Sequence, residues 1–311
     1  MTMHREDKTW RRLLSGAAVA ALLLAAVAEP ASAKGLGLGH SSSGSFAGGS
    51  FSRQGTMQST GGSGWTRNST TTGPAGNTFT TNATGTCAAG TGCNAQVTKT
   101  GPNGASWTKS KSLQATGSGG ITYGSTTTGP NGKTWSASGT TQATGNGGWT
   151  TQKTLTGPNG QTATVSGTGS CAAGSGCSQT LTGTGPNGQT WSKTTSTEKT
   201  GDNGVTHDAT WTGPNGQTAT KSTTIQATGN GGWTTQSTAT GPNGGTWTTT
   251  GGGQTNGNGG WTNQRTTTGP NGGTWSTTGS GQCADGACAS QSTTTGPNGG
   301  QTTRSTWVTV Q

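Results

Sequence analysis

The chain has 311 residues, of which 62 are Gly, 23% are hydrophobic and 8% are charged, with a formal net charge of +10. Ordinary globular domains are nearly half apolar and about a quarter charged, so an oil-like core, and with it an α/β enzyme, is excluded. Composition alone points to disorder, but twelve Trp and a strict internal period point to an ordered β-protein instead.

Residues 1–33 read as a secretory signal peptide. A basic stretch (Lys8, Arg11, Arg12) precedes an apolar run from Ala17 to Ala28, and Ala31-Ser32-Ala33 supplies a small-x-small cleavage site. Arg11-Arg12 hints at a twin-arginine signal, but its flanking residues fit poorly. The apolar run is short and Ala-rich for a membrane anchor, and no second one follows, so no membrane span is expected. The mature chain then starts at Lys34 and is expected to be secreted, extracellular or on the cell surface, by way of the periplasm. Residues 34–56 read as a flexible Gly/Ser-rich leader, and 57–311 as a repeat domain.

Gly-Pro-x-Gly recurs from Gly73, Gly101, Gly129, Gly157, Gly185, Gly213, Gly241, Gly269 and Gly296, so seven intervals are 28 residues and the last is 27. Such a fixed spacing marks a repeat architecture. A second Gly-rich turn lies between these, as at Gly145-Asn146-Gly147-Gly148. Each unit is two extended legs joined by two turns, and the Thr, Trp and Ser content makes the legs strands.

Side chains alternate faces along a strand. One face carries uniform columns: Thr98/Thr100, Thr126/Thr128, Thr154/Thr156 and Thr210/Thr212 before the Pro turns, and Gln114, Gln142, Gln226, Gln254 and Gln282 near the second turns. The other face carries Trp107, Trp135, Trp191, Trp247 and Trp275 in one column, and Trp149, Trp233 and Trp261 with Trp65 in another. Nearly all repeat cations, Lys99 and Lys153 among them, share the Trp parity. Lys is almost never fully buried unpaired, so the Trp/Lys face is expected to be wet and the Thr/Ser/Gln face to form the interior.

Two all-β architectures compete. A four-residue Gly-Pro-Asn-Gly loop in an antiparallel β-meander would pair opposite parities and mix Thr and Trp rows. A β-solenoid of about nine 28-residue coils keeps them apart, stacking each residue on its counterpart one rung away, and is the expected fold.

The cysteines form three local pairs on the second turns: Cys87/Cys93, Cys171/Cys177 and Cys283/Cys288. A secreted chain meets oxidising conditions, and no zinc-type spacing or nearby His exists, so disulfides are expected and no metal or other cofactor. Gly132-Lys133-Thr134 imitates a phosphate-binding loop, but Thr127 stands where its first Gly is required. His207 and Asp208 have no nucleophile beside them, and Glu198 and Asp202 make no glycosidase pair. No enzyme activity is expected. The dispersed cations suit a solvated surface better than a nucleic-acid groove.

With its signal peptide, Gly-rich leader, tandem strand–turn–strand units, Gln columns and turn Asn103, Asn131 and Asn159, the chain resembles curlins, the subunits of bacterial functional amyloid. That resemblance implies an extracellular fibre or matrix subunit whose end coils template the next copy. The Thr-x-Thr columns also resemble those of Thr-rich β-solenoid antifreeze proteins, which implies ice binding. Three functions are therefore expected in this order: a self-assembling structural protein, an ice binder, and an adhesin gripping polysaccharide or an anionic surface through its Trp columns. On the solenoid reading, Thr156→Lys breaks the stack whereas Lys153→Thr is tolerated.

Overall fold

The computed structural model describes residues 37–46, 49–60, 63–201 and 203–310; the expected signal peptide lies outside them. The first ten strands are β1 (Gly37–Phe46), β2 (Gly49–Ser59), β3 (Gly64–Thr72), β4 (Thr78–Ala88), β5 (Gly92–Thr100), β6 (Ser106–Thr116), β7 (Gly120–Thr128), β8 (Thr134–Gly145), β9 (Gly148–Thr156) and β10 (Thr162–Ala172). The second ten are β11 (Gly176–Thr184), β12 (Thr190–Thr200), β13 (Gly204–Thr212), β14 (Thr218–Gly229), β15 (Gly232–Thr240), β16 (Thr246–Thr255), β17 (Gly260–Thr268), β18 (Thr274–Ala284), β19 (Ala287–Thr295) and β20 (Gln301–Val310). Residues 37–59, at the edge of the periodic region, supply β1 and β2.

Each strand pairs antiparallel with its neighbours in sequence, and β1 also pairs β20. The architecture is therefore a closed 20-stranded antiparallel barrel. The expected solenoid is overturned: a unit is two strands of a barrel wall, not one coil. The simple meander is corrected too, because the sheet closes on itself.

The error lay in one residue of loop. At the turn after β9, Gly157 N–H donates to Gln161 O (2.8 Å) and Gly160 N–H donates to Gly157 O (3.0 Å), with Gly160 at φ 81°. Five residues, 157–161, thus separate the paired Thr156 and Thr162. This type I turn with a following left-handed Gly pairs like parities, so Thr rows meet Thr rows without any stacking of coils. The shortened last Cys loop keeps the faces in phase as well, because Cys283 still pairs Cys288 and Thr278 pairs Thr293.

Following the paired rows once round the wall returns to β1 about twenty residues further along, a shear close to the strand number. With strands about 4.8 Å apart, a round barrel of this kind has strands tilted by about 36° and a backbone radius of about 19 Å. Only Ala83, Leu155, Ala163, Val165 and Ala209 are buried apolar residues among those described. Cohesion therefore comes from the closed hydrogen-bond ladder rather than from a packed centre.

One cross-strand device recurs. Trp65 pairs Gly85, Trp149 pairs Gly169, Trp233 pairs Gly253 and Trp261 pairs Gly281. Each indole lies across its glycine: a Cβ on Gly85 or Gly281 would sit 2.5 or 2.6 Å from the ring. The glycine costs strand propensity, and the aromatic lid restores the contact. Where the Trp is replaced, so is the Gly: Cys93 pairs Leu113, Ile121 pairs Thr141, Cys177 pairs Thr197, Val205 pairs Ile225 and Cys288 pairs Val308.

The cysteines bridge Cys87–Cys93, Cys171–Cys177 and Cys283–Cys288, each with Cα atoms 4.0 Å apart across a turn. Their loops are short, so each contributes at most about 2–3 kcal/mol. Reduction is expected to lower the thermal midpoint while leaving the far-ultraviolet β-sheet spectrum unchanged at 25 °C. Loss of the sheet signal on reduction alone would show that the hydrogen-bond ladder does not hold the barrel by itself.

Candidate functional site: the barrel lumen

Three observations fix which face points inward. Along β10, Thr162, Thr164, Ser166 and Thr168 are exposed, while Ala163 and Val165 are buried and Gly167 is half-buried. A concave wall crowds its side chains and a convex wall spreads them, so the Thr face is the outer one. Chirality agrees. The Gly157/Gln161 hydrogen bond makes the odd-numbered residues of β9 and β10 the hydrogen-bonded pairs, and with L-residues this sets the left-to-right strand order seen from the Thr face. Given the right-handed tilt of barrel strands, the register drift then closes only with Thr outward. Finally, Lys153 on β9 lies within electrostatic reach of Lys109 on β6 although two strands intervene, as expected of side chains converging from a concave wall.

The expected face assignment is thus reversed. Thr98, Thr100, Thr126, Thr128, Thr154, Thr156, Thr210 and Thr212 stand on the outer wall near the Pro-turn mouth. Gln114, Gln142, Gln226, Gln254 and Gln282 stand on the same wall near the other mouth. Hydroxyl bonds on this wall run between neighbouring strands: Thr206 bonds both Thr200 (2.9 Å) and Thr224 (3.1 Å), Thr293 bonds Thr303 (3.2 Å), and Gln142 Nε2 donates to Ser118 O (2.6 Å).

Trp107, Trp135, Trp191, Trp247 and Trp275 line the inside of the Pro-turn mouth. Trp149, Trp233 and Trp261 line the other mouth, where the three disulfides occupy equivalent places. Between the two aromatic rings the inner wall carries small residues such as Ala137, Gly139, Gly167 and Gly251. Trp211 receives the Lys193 ammonium 5.2 Å from its ring centroid, a cation–π contact.

Charge is sorted completely between the walls. Arg53, Arg67, Lys99, Lys109, Lys111, Lys153, Lys193, Lys199, Lys221, Arg265 and Arg304 all share the inner face. Glu198 and Asp208, the two carboxylates within described strands, stand on the outer face. An inward Lys is costly only where the interior is dry. A hollow bore is wet, so an inward ammonium keeps its water and the penalty disappears.

The decoys stay apart. Lys133 sits at a Pro turn, and the His207 Nδ1 shares a hydrogen bond with Thr197 Oγ1 (2.8 Å). Among the described residues no cluster of His, Cys, Asp or Glu could hold a metal ion. The inward cation set and its companion Tyr123 were not singled out as a site beforehand, although the shared parity of Lys and Trp was visible in the sequence.

No family model matches the chain, and no curated protein matches its sequence. Solved structures share its fold. The outer membrane protein OpdK of Pseudomonas aeruginosa aligns over 89% of this chain and 98% of its own length, with TM-score 0.53 and 8% identity. OpdL of the same organism aligns over 89% and 97%, also with TM-score 0.53 and 8% identity. A Rh. blastica porin variant aligns over 89% and 99% with TM-score 0.48 and 9% identity. The neighbours are barrels, not curlin-like or Thr-rich solenoids, so both resemblances fall.

The expected functions fall with the fold. Closure leaves no open end coil to template a fibre, so the self-associating homopolymer loses its mechanism. The ice-binding reading and the adhesin reading both needed a solenoid, and the Trp columns that were to grip polysaccharide or an anionic surface lie inside the bore. The expectation of no membrane span is corrected as well. It rested on the absence of a long apolar run, and no described helix is long and apolar enough to cross a membrane, but a barrel crosses with strands.

Proposed function

We propose that this protein is a passive, non-enzymatic conduit of the bacterial outer membrane, passing small polar solutes through the bore of its barrel. The observation that carries the reading is closure of β1 on β20 around a wide bore, lined at mid-height by small residues and cations. Barrels of comparable strand number leave room for an aqueous channel. Strands of 9–12 residues tilted by about 36° make a wall roughly 25–30 Å tall, comparable to the hydrocarbon thickness of a bilayer. The fold neighbour OpdK is an outer membrane protein.

The outer wall sets the stringency of the test. Strands that face lipid carry an apolar band between aromatic girdles, whereas this wall presents Thr, Ser and Gln, with Trp307 its one exposed large apolar side chain among the described residues. The refolded full chain is added to planar bilayers of outer-membrane lipid, and single-channel current is recorded beside liposome flotation. Stepwise currents and co-flotation are expected. A barrel that folds but stays in the aqueous phase, with no current steps, overturns the conduit.

A further inference from the structure

Within the bore the cations are not evenly spread. Lys99 on β5 and Lys109 and Lys111 on β6 form one cluster, for Lys109 is within electrostatic reach of both others. Lys153 reaches the same place from β9. The register shows what lies between. Lys109 pairs Thr127 and Lys111 pairs Ser125 on β7, and these pair Trp135 and Ala137 on β8. Gly139 separates Tyr123 from Lys153 in the next row, and the Tyr123 hydroxyl bonds to Thr151 across that glycine. Between the Trp135 and Tyr123 rings the Ser125/Ala137 row is low, with Lys111 beside it on β6 and Lys153 one row away on β9.

We propose that this stretch of the inner wall, from β6 to β9, is a binding station for small multivalent oxyanions of the phosphate class, held by Lys109, Lys111 and Lys153 over the hydroxyls of Ser125 and Thr127, with Lys99 on β5 adding charge from the Pro-turn side. Its role as a stage in permeation rests on the conduit reading. Its existence rests only on the inward placement of these residues. Three positive point charges on flexible stems, Lys109, Lys111 and Lys153, can converge on one compact anion, while Lys99, six residues along β5 from the Lys153 row, adds only longer-range attraction. Lys suits a charge without fixed planar geometry. No carboxylate on the described inner wall competes with the ligand. A monovalent anion would gain about half the Coulomb attraction of a divalent one at the same distance, so charge selects the class.

Inorganic pyrophosphate is the probe, titrated calorimetrically into the refolded full chain at low ionic strength. Saturable one-site binding is expected, weakening as salt shortens the screening length. Lys109→Gln with Lys153→Gln should reduce affinity about tenfold or more, whereas Lys221→Gln with Arg265→Gln, an equal loss of charge elsewhere on the wall, should change it less than about twofold. Equal weakening by both pairs would mean diffuse attraction and overturn the station, as would absence of saturable binding to the parent chain. Circular dichroism confirms that each variant folds. Because this titration needs no bilayer, a failed conductance experiment with intact pyrophosphate binding would remove the conduit and leave the site.

Discussion

Gly169→Leu is expected to destabilise the barrel by about 3 kcal/mol, near the upper end of what overpacking costs. The Trp149 indole occupies the place the new side chain would take, and the ring cannot lift without losing its cover over the strand. The test is a rescue. Trp149→Ile together with Gly169→Thr rebuilds the Ile121/Thr141 pair already present on β7 and β8 and should return most of the lost stability in a denaturant titration. Val308→Leu, opposite Cys288 rather than a Trp, should cost less than about 1 kcal/mol. If the rescue fails while Val308→Leu is silent, the indole and the glycine are not partners and the register is wrong.

Ending the chain at Gly300 should have a larger effect. It removes β20, and with it the eight-residue pairing to β1 and the nine-residue pairing to β19. At about 1 kcal/mol net for each lost hydrogen bond, the deficit is of the order of 10 kcal/mol. Two unpaired edges would then be exposed, and exposed edges pair with other chains. The full chain is expected to elute as one discrete species in light-scattering chromatography, and the truncated chain as a broad distribution of oligomers. A truncated chain that stays discrete would show that β1–β20 pairing does not close the wall.

Much of this wall was legible in the residues. The period set the turns, all nine Gly-Pro-x-Gly sites became hairpins, and the Thr and Trp columns do occupy opposite faces. The antiparallel register is legible too: Trp65, Trp149, Trp233 and Trp261 are each followed twenty positions later by Gly, and the non-Trp members of that column never are. A solenoid would have coupled positions one period apart instead. Which face turns inward could not be read, because the parity of Lys says only that its face is wet, and a hollow bore is as wet as the outside. Closure could not be read either, since β1 and β2 lie where the period has not begun and only their pairing completes the ring.

Across two successive strands the paired rows advance by thirty residues, while the repeat itself is 28 long, as from Thr126 through Ser136 to Thr156. Duplicating one unit would therefore add two strands and two residues of shear together. Tilt depends on the ratio of the two and would hold constant, while the diameter would grow by about 4 Å. Tandem duplication in such a gene acts as a gauge: it resets calibre in even steps without re-engineering a single turn or contact of the units already present.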